Sequence, residues 1–148
     1  MPAPDPAAAL KKEALAAVRQ IYKDHAGRNF LRNCTLRTGC CRFAQTGEVP
    51  LLTKGEALLA MQALRATGRR SVRRPADGAC PLLDPRTARC LIYEARPFGC
   101  RTHFCSAAGG PHARRDVLDL IRRLEEWDAR LGGDGPRSLH AALDEIID

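Results

Sequence analysis

Hydrophobic positions recur at helical spacing in four stretches of the chain and lose that spacing in two. Leu10, Ala14, Val18, Ile21 and Tyr22 fall on one helical face. Asp5 and Pro6 supply the N-cap and first-turn proline of that helix, and Gly27 its stop. Thr53-Lys54-Gly55-Glu56 has the spacing of a capping box. Leu58, Met61 (or Ala60) and Leu64 follow it, and Gly68 can close the second helix. A third helix, expected to be the longest, opens at Gly110-Pro111 and carries the stripe Val117, Leu120, Ile121, Leu124, Trp127 and Leu131 as far as Gly132-Gly133. Residues 134–137 read as a turn, and Leu139, Leu143, Ile146 and Ile147 as a short C-terminal helix.

Between residues 28 and 50 the periodicity disappears, and this stretch holds Cys34, Cys40 and Cys41. Residues 65–78 form a basic connector with Arg65, Arg69, Arg70, Arg73 and Arg74. Beyond it, the segments beginning Cys80-Pro81-Leu82-Leu83 and Cys90-Leu91-Ile92-Tyr93-Glu94 predict two short extended pieces around a turn, and Cys100 and Cys105 follow. The expected fold is mainly α: four helices around an irregular thiol-rich centre, with at most a small β-hairpin. With 148 residues the chain fits one domain. Residues 34–105 form its cysteine-cluster region and residues 111–148 its C-terminal helices.

Composition sharpens this picture at the thiols. Seven cysteines cannot all pair internally. No stretch approaches 18 apolar residues, and Lys11, Lys12, Glu13 and Arg19 break the N-terminal Ala-rich run, so neither a membrane span nor a secretory signal is expected. A cytoplasmic location follows, and in a reducing compartment such cysteines point to metal binding or redox chemistry rather than to disulfides. All seven lie off the helical stripes, where the backbone can turn to gather thiolates. Four thiolates suit a closed zinc site or an iron–sulfur cluster, although none of the spacings is the two-residue knuckle of zinc ribbons. Adjacent Cys40 and Cys41 point to opposite sides if extended. The seven could therefore divide as four plus three, and a three-thiolate centre would keep an open position. Arg37, Arg42, Arg89 and Arg101 flank the thiols and could favour thiolate over thiol. The formal net charge of +7 is compatible with nucleic acid, an acidic partner or compensation of an anionic centre.

Taken together, Cys40-Cys41-Arg42-Phe43, Val49-Pro50-Leu51-Leu52-Thr53, Cys80-Pro81-Leu82-Leu83 and the run Cys90-Leu91-Ile92-Tyr93-Glu94-Ala95-Arg96-Pro97-Phe98-Gly99-Cys100-Arg101 resemble the YkgJ-type CxxCxxCC cysteine-cluster family of bacteria. The resemblance spans about residues 34 to 105 and implies a zinc- or iron-chelating domain. It implies a first motif on Cys34, position 37, Cys40 and Cys41, in which Arg37 replaces one ligand. It also implies an intact second motif on Cys80, Cys90, Cys100 and Cys105.

Other residues weigh less. His103 or His112 could complete a ligand set, whereas His25 and His140 fall on helices away from the cluster and read as surface or satisfied side chains. Tyr93, Glu94 and Arg96 could line a pocket, but an Arg96–Glu94 pair beside a packed Tyr93 is the simpler expectation. The Arg65 to Arg74 run could meet phosphates, without aromatic residues for base stacking. Three functions stay open: a metal-binding protein using iron, an iron–sulfur centre or Zn²⁺; a metal-dependent redox or modification enzyme with an open three-thiolate site; and a metal-stabilised nucleic-acid or protein-binding module.

Overall fold

The computed structural model describes residues 5–28, 49–69, 72, 75, 79–84, 86–87, 89–102 and 113–146. It is mainly helical, as the pattern predicts. The elements are α1 (Pro6–Ala26), β1 (Leu51–Leu52), α2 (Lys54–Ala66), a 3-10 turn (Tyr93–Ala95), α3 (Phe98–Thr102), α4 (Arg114–Arg130), β2 (Arg137–Ser138) and α5 (Leu139–Ile146). Among the described residues, no helix is long and apolar enough to cross a membrane.

α1 starts where Asp5 accepts a hydrogen bond from the Ala7 N–H at 3.0 Å, with Pro6 in the first turn. Its 21 residues exceed the 17 of α4, which corrects the expectation that the third helix is longest. The described part of that third helix begins only after the N-cap Ala113; Gly110 and Pro111 lie outside the described residues. A further difference is α3, which adds a short helix inside the second cysteine motif. Residues this polar and this few carry no readable stripe, so periodicity could not show it.

α2 is the centre of the packing and touches α1, α4 and α5. Its Ala57, Ala60, Met61 and Leu64 join a cluster with Leu52, Leu82, Leu83, Ile92, Leu139 and Leu143. Leu59 faces a second cluster, built from Leu15, Val18 and Ile21 of α1, Phe98 of α3 and Val117, Leu120 and Leu124 of α4. A helix buried on two sides needs small residues where its neighbours cross. A Cβ at Gly55 would come within 3.0 Å of Val18 Cγ2, so only glycine lets α1 approach this closely.

The two-stranded sheet is not a local hairpin. β1 pairs antiparallel with β2, Leu51 opposite Ser138 and Leu52 opposite Arg137, so the ladder joins distant parts of the chain. Arg137, expected in a turn, therefore lies in a strand. The Leu139 N–H donates to the Pro50 carbonyl at 3.0 Å and continues this closure.

Two buried carboxylates hold the elements in register. Asp128 of α4 is 3% exposed. Its Oδ1 accepts from the Lys54 N–H at the start of α2 (2.7 Å), and its Oδ2 from the Gly135 N–H (2.8 Å). The turn of residues 132–135 wraps this carboxylate so tightly that a Cβ at Gly133 would lie 2.5 Å from Oδ1. Glu56, at the third position of α2, is 2% exposed. Oε2 accepts from the Thr53 N–H (3.0 Å), as the capping box predicts, and also from the Thr53 hydroxyl (3.1 Å). Oε1 accepts from the Tyr22 hydroxyl of α1 (3.0 Å) and the Phe98 N–H at the start of α3 (2.7 Å). Burial raises the Glu56 pKa, and its four hydrogen bonds oppose that rise.

Asp128→Ala should cost about 2–3 kcal/mol in denaturant unfolding, because two buried amides lose their acceptor. Glu56→Gln should cost about 1–3 kcal/mol, because an amide NH₂ cannot accept from both donors of one side. The two proteins should also differ in pH dependence. The native state holds the Glu56 proton more tightly than the unfolded chain does. The stability that this proton contributes is therefore complete below the ordinary carboxyl value of 4.5 and is lost as pH rises through the raised native value. Stability curves against pH should show this component in the unaltered protein and not in Glu56→Gln.

Candidate metal centre

The second cysteine motif begins in the core. Cys80 is buried and belongs to the first apolar cluster, and Cys90, half-buried, packs against that cluster. A short looped segment connects them. The Leu83 N–H donates to the Cys80 carbonyl (3.0 Å), the Leu91 N–H to Leu82 (2.8 Å) and the Asp84 N–H to Arg89 (2.8 Å), with an antiparallel bridge between Leu83 and Cys90. This is the expected pair of extended pieces around a turn, but the second piece is shorter than the sequence suggests. From Tyr93 the backbone winds into the 3-10 turn, where the Ala95 N–H reaches the Ile92 carbonyl (2.7 Å).

Pro97 then ends the turn and starts α3, where the Cys100 N–H donates to the Pro97 carbonyl at 3.0 Å. Cys100 thus sits in a short helix, within a segment whose sequence carries no apolar stripe. Three contacts fix α3 to the bundle. Phe98 is buried in the second cluster while its N–H is held by Glu56. Gly99 lies against Pro50, with 3.3 Å between a Cβ placed there and Pro50 Cβ. Arg101 donates from Nε to the Arg96 carbonyl (2.7 Å) and from Nη2 to the Glu94 carbonyl, and its guanidinium lies 4.0 Å from the centroid of the Tyr22 ring.

The electrostatics around Cys100 follow from this packing. Tyr22 is buried, and burial raises its hydroxyl pKa well above the ordinary value; the Glu56 carboxylate adds to the rise and Arg101 opposes it. Cys100 lies close enough to Tyr22 to contribute to the same shift. Burial also lowers the Arg101 pKa.

Two expectations about side chains change. Arg96 does not pair with Glu94; its guanidinium lies 3.9 Å from the Tyr93 ring centroid and its Nε donates to the Tyr93 carbonyl (3.0 Å). The 3-10 turn brings Tyr93 rather than Glu94 under Arg96, and Tyr93 stays 40% exposed. His25 is not remote from the motif. It is buried, with its ring 5.2 Å from that of Phe98. His140 is half-buried on α5.

Cys34, Arg37, Cys40, Cys41, Arg42, His103, Cys105 and His112 lie outside the described residues. Among the described residues, no three of His, Cys, Asp or Glu converge as a metal-holding group. Of the second motif, Cys80 and Cys90 share one apolar cluster and Cys100 sits at the other end of the segment, beside Tyr22. The donor chemistry suits zinc or iron, since thiolates are soft ligands for both. Glu56 and Tyr22 take part in holding this segment and were not among the sequence candidates. Only the capping box signalled Glu56; its bonds to Tyr22 and Phe98 cross 34 and 42 positions of sequence.

No curated protein and no solved structure matches the chain. One family model does match, over residues 32–121: CxxCxxCC, described as “Putative zinc- or iron-chelating domain”. The match supports the binding of a metal ion, zinc or iron. The matched span is more than half of the chain and takes in all seven cysteines, so the chain belongs to the CxxCxxCC family.

Proposed function

We propose that this protein binds zinc or iron through the thiolates of Cys80, Cys90, Cys100 and Cys105, with Cys34, Cys40 and Cys41 forming a second, three-thiol set. The observation that carries the reading is the family match across residues 32–121, which spans both motifs. The fixed setting of Cys100 supports it. A ligand held through Glu56, Phe98 and Arg101 loses little freedom on binding, and supporting hydrogen bonds of this kind tune metal affinity. When bound, a tetrathiolate zinc adds folding energy, while an iron–sulfur cluster adds one-electron chemistry. Thiol ligands of either kind suit a reducing, cytoplasmic setting.

A second reading is favoured by one residue. Arg37 stands where the first motif implies a fourth thiol, leaving three and thus an open coordination position, as in catalytic metal sites. On that reading the protein is a metal-dependent redox or modification enzyme.

Anaerobically purified protein should contain zinc or iron by elemental analysis, with broad absorption near about 400 nm if the metal is an iron–sulfur cluster. Cys90→Ser and Cys100→Ser should each lose the metal of the second set and melt at lower temperature, because metal binding is coupled to folding. Native mass spectrometry that finds the same metal-to-protein ratio in both variants as in the parent would overturn the assignment. A residual ion that survives both variants but leaves with Cys41→Ser would place a second centre on the first motif.

A further inference from the structure

The second cysteine motif is held in part from α1. α3 has five residues, and a helix this short has little stability of its own. Its place depends on anchors, and two of these lie on either side of Cys100. Before it, Phe98 is buried in the second cluster and its N–H donates to Glu56 Oε1 (2.7 Å). After it, the Arg101 guanidinium lies 4.0 Å from the centroid of the Tyr22 ring. Both anchors lead to one pair of residues, because the Tyr22 hydroxyl donates to Glu56 Oε1 (3.0 Å). Glu56, Tyr22, Arg101 and Phe98 thus close a circuit through α1, α2 and α3, and Cys100 lies between its last two members.

Arg101 also acts within the motif. Its Nε donates to the Arg96 carbonyl (2.7 Å) and its Nη2 to the Glu94 carbonyl. A guanidinium is planar, so its in-plane N–H groups can hold two carbonyls while its face lies on a ring. The ring it meets is itself fixed: Tyr22 is 4% exposed and its hydroxyl is held by Glu56. Glu94 and Arg96 belong to the stretch of chain that leads from Cys90 to Cys100. One side chain therefore ties that stretch, the helix that carries Cys100 and α1 to one another.

We propose that Tyr22 and Arg101 are positioning residues of the second metal set: Tyr22 holds the Arg101 guanidinium from α1, and Arg101 fixes the backbone that carries Cys100. The inference rests on the reading of Cys80, Cys90, Cys100 and Cys105 as the metal ligands. Neither positioning residue donates to the metal. Their contribution is that the Cys100 backbone is placed before the ion arrives, which lowers the cost of ordering it on binding. Tyr22 lies before the matched span of residues 32–121, so the metal set draws on a helix that the family domain does not include. A lysine at position 101 would keep the positive charge but could not hold two carbonyls and lie on a ring at once. Geometry and charge are separable on that basis.

The test is metal retention by the anaerobically purified protein against increasing concentrations of EDTA, with zinc and iron read by elemental analysis. It is run at a temperature at which circular dichroism shows every variant folded. The ion that Cys100→Ser lacks defines the second set. Arg101→Lys and Tyr22→Leu should each release that ion at a chelator concentration about 10- to 100-fold lower than the parent does. The double variant should lose little more than the weaker single variant, because the two residues act through one contact. Leu15→Ala, which opens the same apolar cluster from α1, should melt earlier but retain the ion within about twofold of the parent. Parental retention in Arg101→Lys would overturn the proposal, since a charge alone would then suffice. So would losses that add in full in the double variant, or an equal loss in Leu15→Ala, which would make the effect a general loosening of the bundle. Parent protein without zinc or iron, or a Cys100→Ser variant that keeps all its metal, would instead overturn the ligand assignment and this inference with it.

Discussion

The buried carboxylate of Glu56 is the constraint on which the arrangement of the other parts depends. It sits at the first turn of α2, where the amides of the helix start favour a negative charge. It could have been satisfied locally by Thr53 alone. Instead one oxygen serves the cap and the other serves α1 and α3, through Tyr22 and the Phe98 amide. A carboxylate buried this deeply is tolerated only with all its acceptor capacity in use. The positions of α1 and of the cysteine-bearing α3 are thus tied to the same group that starts the central helix.

Asp128 performs a related task from the opposite direction. It lies in the last turn and a half of α4 and supplies the amide at the start of α2 with an acceptor from another element. The first turn of α2 therefore has two carboxylates, one its own and one borrowed. Apolar packing then fills the two sides of the helix, with Gly55 admitting α1 closely on one of them. Few apolar aromatic residues are available to this core, and the buried polar bonds supply specificity of position that small aliphatic side chains alone would leave loose.

Local signals in the sequence were sound where the cause of structure was local. Asp5 with Pro6 starts α1, Thr53 with Glu56 starts α2, and the stripe from Val117 to Leu124 buries one face of α4. They failed where partners are distant. Nothing near Leu51 indicates that it pairs with Ser138, and nothing near Asp128 distinguishes it from the charged residues around it on α4. Tyr93 and Arg96 were misread because a 3-10 turn has a different side-chain period from the extended backbone assumed. The cysteine spacing was informative for a different reason. Ligands must converge whatever the intervening structure, so spacing and residue type point to the chemistry, and hence to the family, without indicating which thiols share a centre.

The two-residue ladder between β1 and β2 bears on how the chain reaches this state. It closes a loop that contains α2, the second cysteine motif and α4, and so most of the protein. Closure entropy for a loop of that length cannot be recovered by two residues of backbone pairing. The ladder must therefore be a late event, formed after α2 and α4 have met and reduced the separation of its ends. Partial unfolding would then begin at the same seam: release of α5 and β2 would expose Leu52, Leu139 and Leu143 together, while α1, α2 and α4 kept their mutual contacts.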